Sequence, residues 1–171
     1  MRSEISLLVV FLLIFFVDTF GGNKSLKGLS ITACVLFALH TIWNIIPVES
    51  ASAFGGMYQT SPIASMVKTV LNIGTFIVLL QSISWRNTPD VKVRRGEFYE
   101  LLLVTLFGMY LMVSSGHFLL FFIGLETASL PMAALIAITK KDSESYEAGA
   151  KYLFTAVFSS ALFLLGLSFL Y

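Results

Sequence analysis

The chain has 171 residues, of which 57% are hydrophobic and only 12% are charged, and its mean hydropathy is +0.86. This balance lies well outside that of a soluble globular domain and predicts an integral membrane protein. The formal net charge of +1 argues against a nucleic-acid-binding surface, because neutralising phosphates needs clustered Lys and Arg side chains.

Six stretches come close to the roughly 20 mainly apolar residues that a membrane helix needs. The predicted fold class is therefore an all-α polytopic membrane helix bundle of about six transmembrane helices, with no room for a soluble domain. The first stretch follows Arg2 as a signal peptide would, but no small-residue cleavage site comes after it, so we expect a retained helix. Short polar connections separate the six stretches, which cover residues 3–20, 28–47, 62–84, 97–114, 117–138 and 146–171.

Cations in the loops predict how the bundle is oriented. Eight of the eleven Lys and Arg residues fall in the first, third and fifth loops. The positive-inside rule then predicts that these loops are cytoplasmic and that the N-terminus is outside, in a multi-pass protein of the cell inner (plasma) membrane. Arg2 is the exception. The eight loop residues are Lys24, Lys27, Arg86, Lys92, Arg94, Arg95, Lys140 and Lys141.

Asp18, His40 and Lys68 are ionisable residues within the first three segments. A charge at the centre of a membrane helix costs on the order of 3 kcal/mol, so each is a functional candidate. Asp18 ends the first segment and is interpreted as interfacial, and His40, with Asn44 one turn on, is interpreted as a hydrogen-bonded packing residue. Lys68 lies roughly 9 Å into the third segment. We expect it to snorkel to the outer interface, with proton transfer as the alternative.

Two carboxylates open the fourth segment. Glu97 and Glu100 are spaced i, i+3, and carboxylates are favoured near a helix N-terminus. We expect Glu97 to cap the helix or face the interface. Glu100 lies one turn deeper and is a candidate for the start of a cytoplasmic proton-entry path.

Glu126 is the deepest charge in the chain, roughly 14 Å into the fifth segment. An isolated buried carboxyl stays protonated, whereas a nearby lysine favours its ionised form. If that lysine moves toward and away from the carboxyl, the carboxyl releases and takes up a proton and so acts as a proton relay. The alternative is a permanently neutral acid that hydrogen-bonds a neighbouring helix. Pro131, five residues on, predicts a kink. Small residues around it predict a central helix enclosed by protein: Gly124, Ala128, Ser129, Ala133, Ala134 and Ala137.

The sixth segment carries a second candidate pair. Glu147 precedes Lys151 by four residues, so both lie on one helical face. A proton relay and a snorkelling lysine with a surface partner are both compatible with this spacing.

Motifs for metals and redox cofactors are missing from the sequence. Cys34 is the single cysteine, and His40 and His117 are too far apart for a haem or metal pair. GxGxxG and P-loop patterns are absent as well. We therefore expect no metal site, no bound cofactor and no electron-transfer group within this chain.

Three motifs carry a resemblance to a known family. GEFYELLL (96–103), GLETASLP (124–131) and SYEAGAKYLFTAVFSS (145–160) fall in order on the fourth, fifth and sixth segments. They resemble the antiporter-like subunits of the proton-translocating NADH:quinone oxidoreductase (respiratory complex I), subunit N more than subunits L or M. The resemblance is strong over residues 96–171, the opening half of a first antiporter-like repeat, and weaker over residues 1–95, three accessory helices.

The resemblance implies roles for individual residues. Glu126 matches the essential carboxylate of helix five, Lys151 matches the proton-transferring lysine of helix six with Glu147 beside it, and Glu97 matches the acid of the first motif. The family fold has about fourteen helices in two inverted repeats, so the chain is expected to be an N-terminal fragment. The lysine of the broken seventh helix, the partner of the helix-five carboxylate, would then be absent.

The resemblance also implies a function. The chain would belong to a translocase, with no redox chemistry of its own, that couples quinone reduction to proton translocation through intramembrane Glu and Lys residues. NADH, flavin, iron–sulfur clusters and quinone are expected in partner subunits, with other membrane-arm subunits and the lipid bilayer as direct partners. Two alternatives stay open: a subunit of a multi-subunit cation/proton antiporter, and an inactive truncated scaffold.

Overall fold

The computed structural model describes residues 1–20, 26–46, 49–85, 95–139 and 143–170. The side chains of all eight loop cations used to predict the orientation lie outside this described part. Six helices and a short antiparallel hairpin follow one another along the chain. They are α1 (Arg2–Phe20), α2 (Leu26–Asn44), β1 (Ala51–Ala53), β2 (Tyr58–Thr60), α3 (Pro62–Trp85), α4 (Arg95–Val113), α5 (Phe118–Ile136) and α6 (Ser143–Ser168).

The chain is a multi-pass membrane protein. Among the described residues, α1, α3, α4, α5 and α6 are each long and apolar enough to cross a bilayer, while the apolar part of α2 is shorter, Gly28–Asn44. The predicted all-α bundle of about six helices is confirmed, and the observed bounds differ from the predicted ones by only a few residues. The hairpin between α2 and α3 was not predicted.

The buried core lies among the first four helices. Leu7 of α1, Phe37 of α2, Leu79 of α3 and Leu106 of α4 are almost fully buried and belong to one apolar cluster. Along the bundle, α1 packs on α2 and α4, and α3 packs on α2 and α4. The accessory helices and α4 therefore form one packed unit.

Two glycines set the crossing of α4 and α5, the most extensive helix contact in the structure. A Cβ atom on Gly108 would lie 2.4 Å from the backbone nitrogen of Ala128, and one on Gly124 would lie 2.8 Å from that of Met112. Both distances are far below ordinary van der Waals contact. The predicted close approach of helices at Gly124 is therefore confirmed, and it brings backbone against backbone.

The surroundings of α5 differ from the prediction. This helix packs on α4 and α6, but Leu119, Ile123 and Leu130 remain exposed, so within the described chain it is not enclosed by protein. The expectation of a central helix was wrong for these six helices, because small residues permit close packing on one face without requiring neighbours on the others. Pro131 lies inside the helix, which continues past it to Ile136.

A hairpin closes one end of the bundle, called the hairpin end below. Its strands pair Ala51 with Thr60 and Ala53 with Tyr58. The backbone N–H of Gln59 donates to the carbonyl of Ser114 over 2.8 Å, and that of Gly116 donates to Met57 over 2.7 Å. The connection between α2 and α3 is thereby tied to the connection between α4 and α5.

Arg2, the exception to the charge pattern, has a structural partner at the hairpin end. Its guanidinium donates hydrogen bonds to the carbonyls of Trp43, over 3.3 Å, and Ile46, over 2.6 Å, and it lies 5.9 Å from the centre of the Trp43 ring. The last carbonyls of a helix lack partners within it. Arg2 therefore satisfies the end of α2 and joins it to the start of α1.

Candidate functional site

Glu126 occupies the middle of α5, as the sequence predicts. Eight residues separate it from Phe118 at the start of the helix, which corresponds to about 12 Å along the axis. Its side chain is half-buried. Among the described residues, its carboxyl has no hydrogen bond or ion pair. A carboxyl at mid-membrane without a partner in these six helices is available for a partner from elsewhere.

Glu147 and Lys151 form the predicted pair on one face of α6. Lys151 Nζ lies 2.5 Å from Glu147 Oε1, and the two side chains are 75% and 65% exposed. No ion pair joins Lys151 to Glu126 within the described part of the chain. Lys151 therefore pairs with a carboxylate of its own helix, on the exposed surface of the bundle and away from the core of α1 to α4.

Three further carboxylates meet at the end of the bundle opposite the hairpin. The Asp18 carboxyl at the end of α1 lies directly against Gly96 at the start of α4, where a Cβ atom would be 1.9 Å from Asp18 Oδ2. Asp18, Glu97 and Glu100 interact electrostatically there. Glu97 is exposed in the first turn of α4 and Glu100 is half-buried, which agrees with the predicted order of depth.

Lys68 does not snorkel, and the interpretation favoured from the sequence was wrong. Its side chain is only 2% exposed, and Nζ makes a short ion pair and hydrogen bond with Oε1 of Glu4 on α1. It also lies 5.6 Å from the ring centre of Tyr58 and 5.5 Å from that of Tyr110. The lysine stays inside because a carboxylate and two aromatic faces replace the water that it would otherwise reach.

A hydrogen-bonded cluster of α2, α3 and α4 residues lies beside this pair. The Tyr110 hydroxyl donates a short hydrogen bond to Asn72 Oδ1 and lies 3.2 Å from His40 Nε2. Asn44 Nδ2 lies 3.3 Å from His40 Nδ1 and donates to the His40 carbonyl over 2.8 Å. His40 is thus the hydrogen-bonded packing residue that the sequence predicts, but its partners extend beyond Asn44.

Sequence reasoning missed four members of this buried cluster: Glu4, Tyr58, Asn72 and Tyr110. Asn72 follows Lys68 by four residues on α3, a spacing that marks one helical face and offered a signal. Glu4 offered a weaker sequence signal, because it is an acid at the start of an apolar run. Tyr58 lies in the hairpin, and burial raises the pKa of its phenol far above the ordinary value.

The chain resembles known proteins in sequence. Residues 115–171 match a transmembrane family described as NADH:quinone oxidoreductase/Mrp antiporter. The NADH-quinone oxidoreductase subunit N of Phocaeicola vulgatus is 47% identical over 171 residues, which are 100% of this chain and 36% of that protein. The chain is related to subunit N. The subunit N proteins of Azobacteroides pseudotrichonymphae genomovar. CFP2 and Neisseria gonorrhoeae are 39% and 33% identical, over 99% and 98% of this chain and 36% and 35% of their own lengths.

The likeness to subunit N confirms the resemblance drawn from the three motifs, and it extends over the accessory helices as well. The chain spans about a third of the length of these curated relatives. Glu126, Glu147 and Lys151 lie inside the matched transmembrane family, whereas Lys68, Glu97 and Glu100 precede it.

Proposed function

We propose that the chain forms part of a membrane-arm subunit of an NADH:quinone oxidoreductase and takes part in coupling quinone reduction to proton translocation. The observation that carries the proposal is a carboxylate at mid-span, Glu126, in a segment that matches the antiporter family within a chain related to subunit N. The chain's own contribution is proton transfer, and NADH, flavin, iron–sulfur clusters and quinone belong to partner subunits.

Glu126 is proposed as the group that changes protonation. At mid-membrane the neutral acid is favoured, because desolvation penalises the charged form, and an approaching cation favours the carboxylate. A cation that moves toward and away from Glu126 would therefore make it release and take up a proton. Its half-buried carboxyl, without a partner in the described helices, leaves room for such a cation.

Lys151 and Glu147 are proposed to act together on α6. A charged pair facing lipid is costly, so their exposure in these six helices favours a protein neighbour along this face. Glu97 and Glu100 are proposed to lie at the cytoplasmic entry, since they open α4 at the end opposite the hairpin. In this arrangement the N-terminus and the hairpin end face outward from the cell inner membrane, and other membrane-arm subunits are the partners.

Substitution of Glu126 tests the proposal. Glu126→Gln keeps the volume and hydrogen-bonding capacity but removes the titratable proton, so we expect pumping to fall sharply while the complex still assembles. Glu126→Asp keeps the charge and shortens the reach by one methylene, so partial activity is expected, because a water can bridge the gap. The measurements are proton pumping and NADH:quinone turnover in membranes that carry the complete complex, with assembly checked by native gels. Near-normal pumping by an assembled Gln variant would leave Glu126 as a packing residue.

A second candidate function is proton exchange in a multi-subunit cation/proton antiporter. The matched family description names Mrp antiporters beside the oxidoreductase, and the same Glu and Lys residues would serve. Neighbouring genes separate the two functions, because quinone-site and hydrogenase-like subunits accompany the oxidoreductase, while other antiporter subunits accompany the exchanger.

A further inference from the structure

We propose that Glu4 and Lys68 form a second proton-transfer site, at the hairpin end of the bundle, which exchanges protons with the water on that side of the membrane. The inference rests on the proposed function, since it concerns the same proton translocation. It differs in location, because it assigns chemistry to the accessory helices α1 to α3 instead of to α5 and α6.

The first support is the degree to which the pair is enclosed. Glu4 is 7% exposed and Lys68 is 2% exposed. The hydroxyl of Ser114, from the end of α4, donates a 3.4 Å hydrogen bond to Glu4 Oε1. Tyr58 of the hairpin and Tyr110 of α4 place their rings beside the ammonium. Three helices and the hairpin thus converge on one acid and one base, and ionisable groups inside a membrane helix bundle are candidates for functional sites, proton relays among them.

The second support is energetic. Removing two opposite charges from water costs several kcal/mol for each ion, and their mutual attraction offsets much of this cost. The free-energy difference between the ionised pair and the neutral pair is consequently smaller than it is in water, where the charged forms dominate. A modest change in surroundings therefore decides where the proton lies.

The transfer itself is a proton moving from Lys68 Nζ to Glu4 Oε1. One N–H bond breaks and one O–H bond forms, so an ammonium and a carboxylate become an amine and a carboxylic acid. The acid then releases its proton to water at the hairpin end. The amine takes up a proton from the interior side, which restores the ion pair and completes one net transfer.

The third support is a set of buried polar atoms that lack hydrogen-bond partners among the described residues. They are the Tyr58 hydroxyl and Asn72 Nδ2, and also Glu4 Oε2, whose polar contact is the Met1 amino group at 3.5 Å; such atoms mark places for ordered water. At the hairpin end, an open cavity of about 510 Å³ is lined by Ser61, Ser115 and hairpin residues. Ser115 directly follows Ser114, which contacts Glu4. On the inner side, Asn72 lies one helical turn beyond Lys68.

The pair is also connected to the helix that carries Glu126. Tyr110 contacts Lys68 through its ring and contacts Asn72 and His40 through its hydroxyl. It lies two residues from Gly108, where α4 meets the backbone of α5. A shift of α5 on protonation of Glu126 would displace Tyr110 and change the surroundings of Lys68. Among the described residues, the ionisable groups that interact with the pair are the Met1 amino group, 3.5 Å from Glu4 Oε2, with His40, Tyr58 and Tyr110.

The test uses the complete complex. The double variant Glu4→Gln/Lys68→Met removes both charges together, which avoids the buried unpaired charge that either single change would leave. We expect it to assemble and to lose part of the proton release per NADH oxidised. A merely structural pair predicts unchanged proton release by the assembled double variant, and that result would overturn the inference.

A second measurement decides the question even if the double variant does not assemble. Infrared difference spectra between oxidised and reduced complex report carboxyl groups that change protonation through the C=O stretching band. Glu4→Asp keeps the charge, and we expect it to shift one such band; spectra in which no band moves would overturn the inference.

Glu126→Gln measured in parallel separates the two proposals. Normal pumping by Glu126→Gln contradicts the proposed function. Loss of pumping in Glu126→Gln together with normal pumping by Glu4→Gln/Lys68→Met contradicts only the second proton-transfer site.

Discussion

Replacing Gly108 by alanine should loosen the contact between α4 and α5. The added Cβ would lie 2.4 Å from Ala128 N and 2.7 Å from Gly124 O, whereas carbon atoms pack at about 3.5 Å or more. Both atoms belong to the backbone, so no side chain can rotate away and the helices must separate by about 1 Å locally. Overpacking of this kind costs about 1–3 kcal/mol.

Gly74→Ala on α3 is the matched control. Nothing lies within 4 Å of a Cβ at Gly74, so the same methyl group should leave stability unchanged or raise it slightly through helix propensity, by up to about 1 kcal/mol. The assay is thermal or denaturant-induced unfolding of both variants and the parent protein in one detergent. If Gly108→Ala is as stable as Gly74→Ala, the backbone contact between α4 and α5 does not limit their packing, and the reasoning is refuted.

Two further predictions concern orientation and the α6 pair. A topology reporter fused after Lys141 should read cytoplasmic and one near Ser52 external, because of the loop cations; the opposite signals at both sites would invert the orientation. Lys151→Ala in the complete complex should lower pumping while Lys151→Arg retains more of it, since a positive charge beside Glu147 is needed and Arg keeps that charge without readily releasing a proton. Equal pumping by both variants and the parent would favour a lysine that only reaches the interface.

Helices could be located from the sequence because the bilayer fixes how much apolar chain each one needs. The fourth segment, predicted over 97–114, is observed as Arg95–Val113. The hairpin escaped the prediction because its strands have only three residues each. Its turn also uses Phe54 at a φ of 54°, a conformation that a non-glycine residue rarely adopts. No local sequence pattern predicts this turn.

Contacts within one helix were predictable, and contacts between helices were not. The spacing of Glu147 and Lys151 predicts their pairing directly, and the structure confirms it. The depth of Lys68 in its helix suggested an interfacial side chain, but its partner Glu4 lies 64 residues earlier in the chain. Only the packing of α1 against the rest of the bundle brings this acid to the lysine, and helix periodicity carries no information on that packing.

The hairpin is held to the α4–α5 connection by main-chain hydrogen bonds, from Gln59 to Ser114 and from Gly116 to Met57. Every non-proline residue carries the same backbone donor and acceptor, so this attachment tolerates changes in side-chain identity. Gly116 is the exception, because a Cβ there would lie 2.2 Å from the carbonyl oxygen of Gly56. Saturation mutagenesis across residues 51–60 and 114–116 should therefore show that Gly116 is intolerant, whereas Met57 and Gln59, which hold the connection through their main chain, accept other side chains.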